Sequence, residues 1–483
     1  MQQNKVGEQN LLKQLGRSSL IVITSALFSC LSASSFADFK KSQSTAFTNY
    51  KEENDRIFTQ YLKLDWEAYL LKKPISRYEE QKPREILVAN KKTVKKQGPK
   101  ISIYVAKKDK DTKLEVSQTP IEKKDINFDF YGTNISFDIP QGMDNARFYP
   151  QTKEGIHSYY KTVALSPYEG LIEKIQKIST GLNLNDWGKY MLIKKLSENI
   201  FQNQDESRLL SWFIFNKLGY SVRVGLANRH IVVMHHSKKT IYATPNYNIG
   251  TQKFYVLSDY AKGSAGKIFT YKQSYPGSNK ALDLSMKSLP LFVDKTMEKT
   301  LKFQQYGEKY TLKYKYNQNL IDFMSTYPQA DYETFFNTPL DESSYRDVAL
   351  ELKKHINTKQ ASVALNFVLN FVQNAFKYEV DSQQFGREKV MFAQETLYYD
   401  KSDCEDRAVL FSYLVKELFN IGVVGVKYKD HMSTALYIPM KGDSVKVHSK
   451  KFIIADPTYA NASIGQNMPK YKAVRPDSFI VIN

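Results

Sequence analysis

The chain has 483 residues, 42% hydrophobic and 13% aromatic, which excludes a largely disordered protein and calls for two or three domains rather than one core. Lys and Arg outnumber Asp and Glu by 69 to 50, a formal charge of +19 that favours anionic partners such as an envelope surface. Only two cysteines, Cys30 and Cys404, are present, so a disulfide-stapled scaffold is excluded.

Residues 1–37 read as an export signal. Lys13 and Arg17 precede the apolar run from Leu20 to Leu31, and Ser35-Phe36-Ala37 offers a small-x-small cleavage site. The apolar part is shorter than the roughly 20 residues a bilayer needs. The expected mature chain therefore starts at Asp38, has no transmembrane segment, and is periplasmic or envelope-associated. An uncleaved anchor is the alternative, and Leu27-Phe28-Ser29-Cys30 loosely fits a lipid-attachment site. Removing Lys5, Glu8, Lys13 and Arg17 leaves about +17, and Cys404 becomes the one thiol.

Phe39, Phe47, Tyr50, Phe58, Tyr61, Leu62 and Trp66 recur at helical spacing and predict a helix over residues 38–72. This stretch resembles the N-terminal segment of membrane-bound murein transglycosylase C over about thirty residues. That likeness implies an envelope location and carries no catalytic residue. Residues 73–124 are Lys-rich and read as a linker or small β element, completing an N-terminal region over 38–124. The alternation from Ile126 to Phe137, broken at Gly132, predicts a β-hairpin.

Two later regions repeat one another. The first, in residues 125–290, runs Asp205-Glu206-Ser207-Arg208-Leu209-Leu210, then Gly219-Tyr220-Ser221-Val222, then His230. The second, in residues 291–483, runs Cys404-Glu405-Asp406-Arg407-Ala408-Val409, then Ile421-Gly422-Val423, then His431. Thr244-Pro245-Asn246 echoes Asp456-Pro457-Thr458. The pattern predicts an α+β protein with two copies of one unit, the first degenerate because Asp205 stands where the second has a thiol. Residues 290–380 are expected to be largely helical.

Ala408, Phe411, Leu414, Val415 and Leu418 form one face of a helix that begins near Cys404, with Ser402 and Asp403 as candidate caps. A lone helical cysteine is usually a small buried hydrophobe. At a helix start, however, unpaired N–H groups and the dipole favour thiolate and can hold an oxyanion. Asp403, Glu405 and Asp406 push the other way, so an imidazolium must supply most of the activation. His431 opens one strand and Asp456 closes the next, which places them side by side if the strands are antiparallel neighbours. His448, in a Lys-rich hairpin, is the rival base. His235-His236 lacks the spacing of a metal site, and no metal or cofactor is expected.

Glu395-Thr396-Leu397, Asp403-Cys404-Glu405-Asp406-Arg407-Ala408, His431 and Asp456-Pro457-Thr458-Tyr459, in this order, resemble transglutaminase-like domains, and most of all their bacterial cysteine-peptidase-like branch. The likeness covers roughly residues 365–480. It implies a papain/transglutaminase-like fold, a helix bearing the cysteine packed on an antiparallel sheet. Cys404 would be nucleophile, His431 base, Asp456 orienter and Gln394 an oxyanion donor. Asp403 stands where the family usually has Gly, and Met432-Ser433 where many members carry an aromatic. The expected activity is thiol-dependent acyl transfer on a peptide or protein substrate, hydrolysis before transamidation, with no nucleic-acid partner. The competing expectation is an inactive envelope scaffold or wall-binding protein that retains the fold.

Overall fold

The computed structural model describes residues 52–90, 94–105, 125–257 and 266–482. The export signal, the Cys30 site, the first part of the 38–72 helix and much of the Lys-rich stretch lie outside the described residues. The chain divides into two compact units, Met1–Ile57 and Phe58–Asn483. The sheets and the candidate site belong to the second.

The N-terminal helical pattern ends at residue 61 rather than 72. Trp66 Nε1 donates to Leu62 O at 3.1 Å, and Glu67–Leu70 forms a strand, β1. Here the sheet overrides helical spacing, because β1 pairs antiparallel with Lys267–Thr270. No ladder forms over Ile101–Val105: Ile103 is buried, and its N–H donates to Asn357 Oδ1. Strands β2 (Ile126–Phe130) and β3 (Thr133–Phe137) make the predicted hairpin. Tyr131 and Gly132 turn with φ of 49° and 82°, the left-handed pair that a tight hairpin requires. A Cβ on Gly132 would lie 2.4 Å from Asn319 Nδ2, so only glycine fits.

Four helices follow: α1 (Lys153–Ala164), α2 (Glu169–Gly181), α3 (Asp186–Ile200) and α4 (Gln204–Lys217). Asn203 Oδ1 caps α4 by accepting the N–H groups of Asp205 and Glu206. The α4 face Leu209, Trp212, Phe213 is fully buried. Beside it lie β4 (Val222–Ala227) and β5 (His230–His236), then β6 (Asn246–Ile249), β7 (Gln252–Tyr255) and β8 (Lys267–Thr270).

Residues 290–380 are not uniformly helical. They open with a hairpin of two ten-residue strands, β9 (Thr296–Gln305) and β10 (Glu308–Asn317). Its period-2 pattern of buried Leu301, Phe303, Leu312, Tyr314 and Tyr316 against exposed lysines is that of a half-buried sheet. Helices α5 (Gln318–Ser325), α6 (Tyr332–Phe336), α7 (Glu342–Ile356) and α8 (Ala361–Asn374) follow. Next come the short parallel pair β11 (Lys377–Tyr378) and β12 (Lys401–Ser402), with α9 (Asp381–Gln384) and α10 (Ala393–Tyr398) between them. The predicted cysteine helix is α11 (Cys404–Phe419). It packs on β13 (Val423–Lys427) and β14 (Met432–Leu436) of a sheet completed by β15 (Ser444–Val447), β16 (Lys450–Ala455) and β17 (Ser478–Val481). Buried Leu410, Phe411, Leu414 and Val415 each contribute about 1.5–3 kcal/mol to that packing.

The two sheets share one plan. The second has the order β15-β16-β14-β13-β17 and the first contains β6-β7-β5-β4-β8, each a fully antiparallel ladder following an apolar helix. Their registers also match: Val222 faces His235 as Val423 faces Leu436, which sets His230 opposite His431 in the comparison. The pairing of Thr244-Pro245-Asn246 with Asp456-Pro457-Thr458 is corrected by this plan. Residues 244–246 lead into β6, whose counterpart is β15, whereas Asp456 follows β16. Counting along the matched registers puts the position equivalent to Asp456 at 258, outside the described residues.

Candidate active site

Cys404 is the first residue of α11, and Asp403 precedes it in extended conformation with its N–H donated to Asp406 Oδ2 at 3.1 Å. His431 sits in the turn before β14, where Tyr428 N–H donates to His431 O at 2.8 Å. Thr434 pairs with Ala455 across β14 and β16, so the residues just outside this pair come together. His431 Nε2 and Asp456 Oδ2 are 2.8 Å apart, both side chains buried. Asp456 Oδ1 accepts the N–H groups of Thr458 (2.9 Å) and Tyr459 (3.3 Å), which fixes the carboxylate. With Nε2 held by Asp456, Nδ1 is the imidazole nitrogen left for chemistry.

Tyr471 stacks on His431 with centroids 5.0 Å apart and 16° between planes, and its hydroxyl donates to Asp430 Oδ1 at 3.0 Å. Burial and Asp430 push the Tyr471 phenol far up, with Cys404 and Asp456 adding to the effect. Gln373 of α8 ties the two walls together. Its Nε2 donates to the carbonyls of Asp456, Tyr459 and Ala462, while its own carbonyl accepts from Arg407 of α11. Burial lowers the Arg407 guanidinium to about 10.

The sulfur itself is fully buried. Cys404 Sγ lies 3.0 Å from Glu405 Oε2, to which it donates, and 3.9 Å from Tyr78 OH. The Tyr78 hydroxyl donates to the same Glu405 oxygen at 3.0 Å. Among the described residues these are the polar partners of the sulfur, and the imidazole is not one of them. Burial, then Glu405 and Asp403, push the thiol well above its usual range, while Lys82 pulls it down. Burial first and the neighbouring carboxylates second thus favour the thiol over the thiolate at Cys404.

Those carboxylates form a cluster that sequence reasoning missed. Lys82 Nζ meets Asp381 at 2.9 Å, Glu388 at 3.2 Å and Glu405 at 2.8 Å, and it also bonds Asp403. Burial and the Glu405 charge raise Glu388 to about 8, and burial raises Asp381 to about 6 against the pull of Lys82. Asp403 and Asp406 are pushed well up by burial, then by Asp381 and Glu405. Burial opposes ionisation of Glu405 too, but Lys82 and the thiol hydrogen bond hold its carboxyl far below the usual range. Oxygen donors of Asp381, Asp403, Glu405, Asp406 and Glu388 could hold a hard cation, and the Lys82 ammonium occupies their midst. No sequence pattern marks the cluster, because isolated acids read as solvated.

No family model, no curated protein and no solved structure matches this chain. What the site does is therefore read from its own residues.

The structure does not bring Gln394 to the sulfur. Its Oε1 accepts Asp341 N–H at 3.1 Å and its Nε2 donates to Ser344 Oγ at 3.0 Å, so its amide serves the start of α7. His448 lies exposed in the β15–β16 turn at φ 44°. His235 is buried against Tyr190 and Phe215, and burial lowers it to about 3. His236 Nδ1 lies 3.0 Å from Lys253 O. In the first sheet, His230 Nδ1 and Asp205 Oδ2 are 3.0 Å apart, and Asp205 Oδ1 accepts from Ile231 N and Arg208 Nη1.

Proposed function

We propose that this chain is an exported, thiol-dependent acyl-transfer enzyme of transglutaminase-like type, with Cys404 as nucleophile, His431 as general base and Asp456 as its orienter. Supporting the reading is the buried His431–Asp456 pair at 2.8 Å, at the ends of the neighbouring strands β14 and β16, of which β14 packs against the helix headed by Cys404. His431 Nδ1 takes the thiol proton, the thiolate attacks an amide carbonyl, and the proton passes to the departing amine. Backbone N–H groups at the start of α11 receive the developing oxyanion. Water then resolves the thioacyl intermediate, since no dedicated amine site is present among the described residues. The first sheet would be the degenerate copy of the unit. A peptide or protein of the cell envelope is the substrate, and the +19 charge suits an anionic envelope surface.

The buried, protonated thiol bonded to Glu405 favours the second reading, an inactive envelope scaffold. Alkylation of Cys404 separates the two. In a Tyr78→Gly chain, which uncovers the sulfur, iodoacetamide should react rapidly near pH 7. Adding His431→Ala should slow it about 100-fold, the scale of a general base. Equal, slow reaction of both chains supports the scaffold instead.

A further inference from the structure

Residues 71–89, which follow β1, run over Cys404. They leave the first sheet through Leu71 N–H to Gly266 O (2.8 Å) and Lys72 N–H to Asn246 O (2.9 Å). Arg77 then inserts between the rings of Tyr242 and Tyr332, 4.3 and 4.4 Å from their centroids, and its Nη2 donates to Ala330 O at 2.7 Å. Next, Tyr78 covers the sulfur and donates to Glu405 on the helix wall. The N–H groups of Glu79 and Glu80 reach Lys429 O on the opposite wall, two residues before the histidine. Lys82 plugs the carboxylate cluster, Tyr378 OH donates to Pro83 O at 2.6 Å, and Leu87 and Ala89 pair with Ala460 just past Asp456.

This one stretch touches the nucleophile's helix, the histidine's turn and the aspartate's loop. A side chain, not a peptide carbonyl, faces the sulfur, so the segment blocks the cleft rather than presenting a bond to be cut. Its attachment is local. Glu79, Glu80, Gln81, Arg84, Glu85, Leu87 and Val88 are exposed, and apart from the Ala460 bridge no ladder holds them among the described residues. Pins at Arg77, Tyr78 and Lys82 carry the closure. Opening must release these seats, above all the Lys82 ammonium among its buried carboxyls, so the closed state is the resting one.

We propose that residues 75–89 are an autoinhibitory strap: the structure is the closed state, and substrate gains Cys404 only when Arg77, Tyr78 and Lys82 leave their seats. The proposal rests on Cys404 being the nucleophile of the proposed function. Displacement would uncover the sulfur and leave four carboxyls without their ammonium, an entrance suited to a cationic group.

The test is the rate of Cys404 alkylation by iodoacetamide at pH 8 in the full mature chain, with thermal melts alongside. Arg77→Ala and Tyr78→Gly each remove a pin without changing the carboxyls or lysine around the sulfur. Each should react at least ten times faster than the native chain while still melting cooperatively. Should either fail to fold, Arg77→Lys and Tyr78→Phe keep most of each side chain and should show the same direction in smaller measure. A native chain that reacts as fast as the folded strap variants overturns the strap. The His431→Ala comparison in the Tyr78→Gly background reports separately on the triad. If it slows the reaction while strap variants do nothing, the proposed function stands and the strap falls. If strap variants accelerate labelling and His431→Ala has no effect, the cover stands and the base assignment falls.

Discussion

The two sheets share strand order, register and a preceding helix, yet they treat the same constellation oppositely. In the first, Asp205 at the start of α4 bonds His230, whose side chain is 55% exposed. In the second, Cys404 heads α11 and His431, 1% exposed, bonds Asp456 beneath a covering segment. Asp205 also accepts from Ile231 N–H and Arg208, so its carboxylate has structural partners besides the imidazole. On one scaffold a buried carboxylate thus meets a half-exposed imidazole. The scaffold becomes a reactive candidate when a thiol and an oriented imidazole are both taken out of water. The histidine position is shared, but the expected match of Asp205 with the thiol is corrected: Gln204 heads α4 as Cys404 heads α11, and Asp205 is the second residue of its helix.

The comparison breaks most visibly at the sulfur. Cys404→Ala should abolish thiol labelling of the mature chain, and in the Tyr78→Gly background Asp456→Asn should cut it at least tenfold by freeing the imidazole to take the wrong tautomer. Asp205→Asn should change neither rate. Lys82→Met should come next. It leaves buried carboxyls without a cation and should lower stability by about 3–5 kcal/mol in denaturant titration. An intermediate effect is expected from pH. Glu388, raised to about 8 in the folded chain from an ordinary 4.5, keeps a proton that the unfolded chain has released. Its contribution is complete below about pH 4.5 and is lost as pH climbs toward 8, so the melting temperature should fall over that window. Glu388→Gln should flatten the slope; an unchanged slope would refute the cluster's titration. Smallest of all, His230→Ala should cost under about 1 kcal/mol, as exposed pairs do.

Much of this was legible in the residues. The spacing of Ala408, Phe411, Leu414 and Val415 gave α11 its start within a residue, and the strands flanking His431 and Asp456 foretold their contact. The alternation broken at Gly132 announced the first hairpin, whose turn lies one residue earlier, at Tyr131-Gly132. Other parts were out of reach for stated reasons. The β9–β10 hairpin hides among lysines whose alternate neighbours are tyrosines, a period-2 signal obscured by its polar half. Gln394 looked free because nothing local shows that Asp341 and Ser344 claim its amide. The Thr244-Pro245-Asn246 echo followed sequence likeness where strand order was the better guide. Tyr78 and Lys82 are separated from their partners by more than 290 residues, beyond any periodicity.

That separation bears on how the molecule is assembled. The contact between Tyr78 and the sulfur spans 326 positions, and contacts of such long range form late because their loops are costly to close. Both halves must be built before the strap has anything to lie across. During refolding the thiol is therefore open to oxidants, an exposure that the folded chain meets again only when residues 75–89 leave the sulfur.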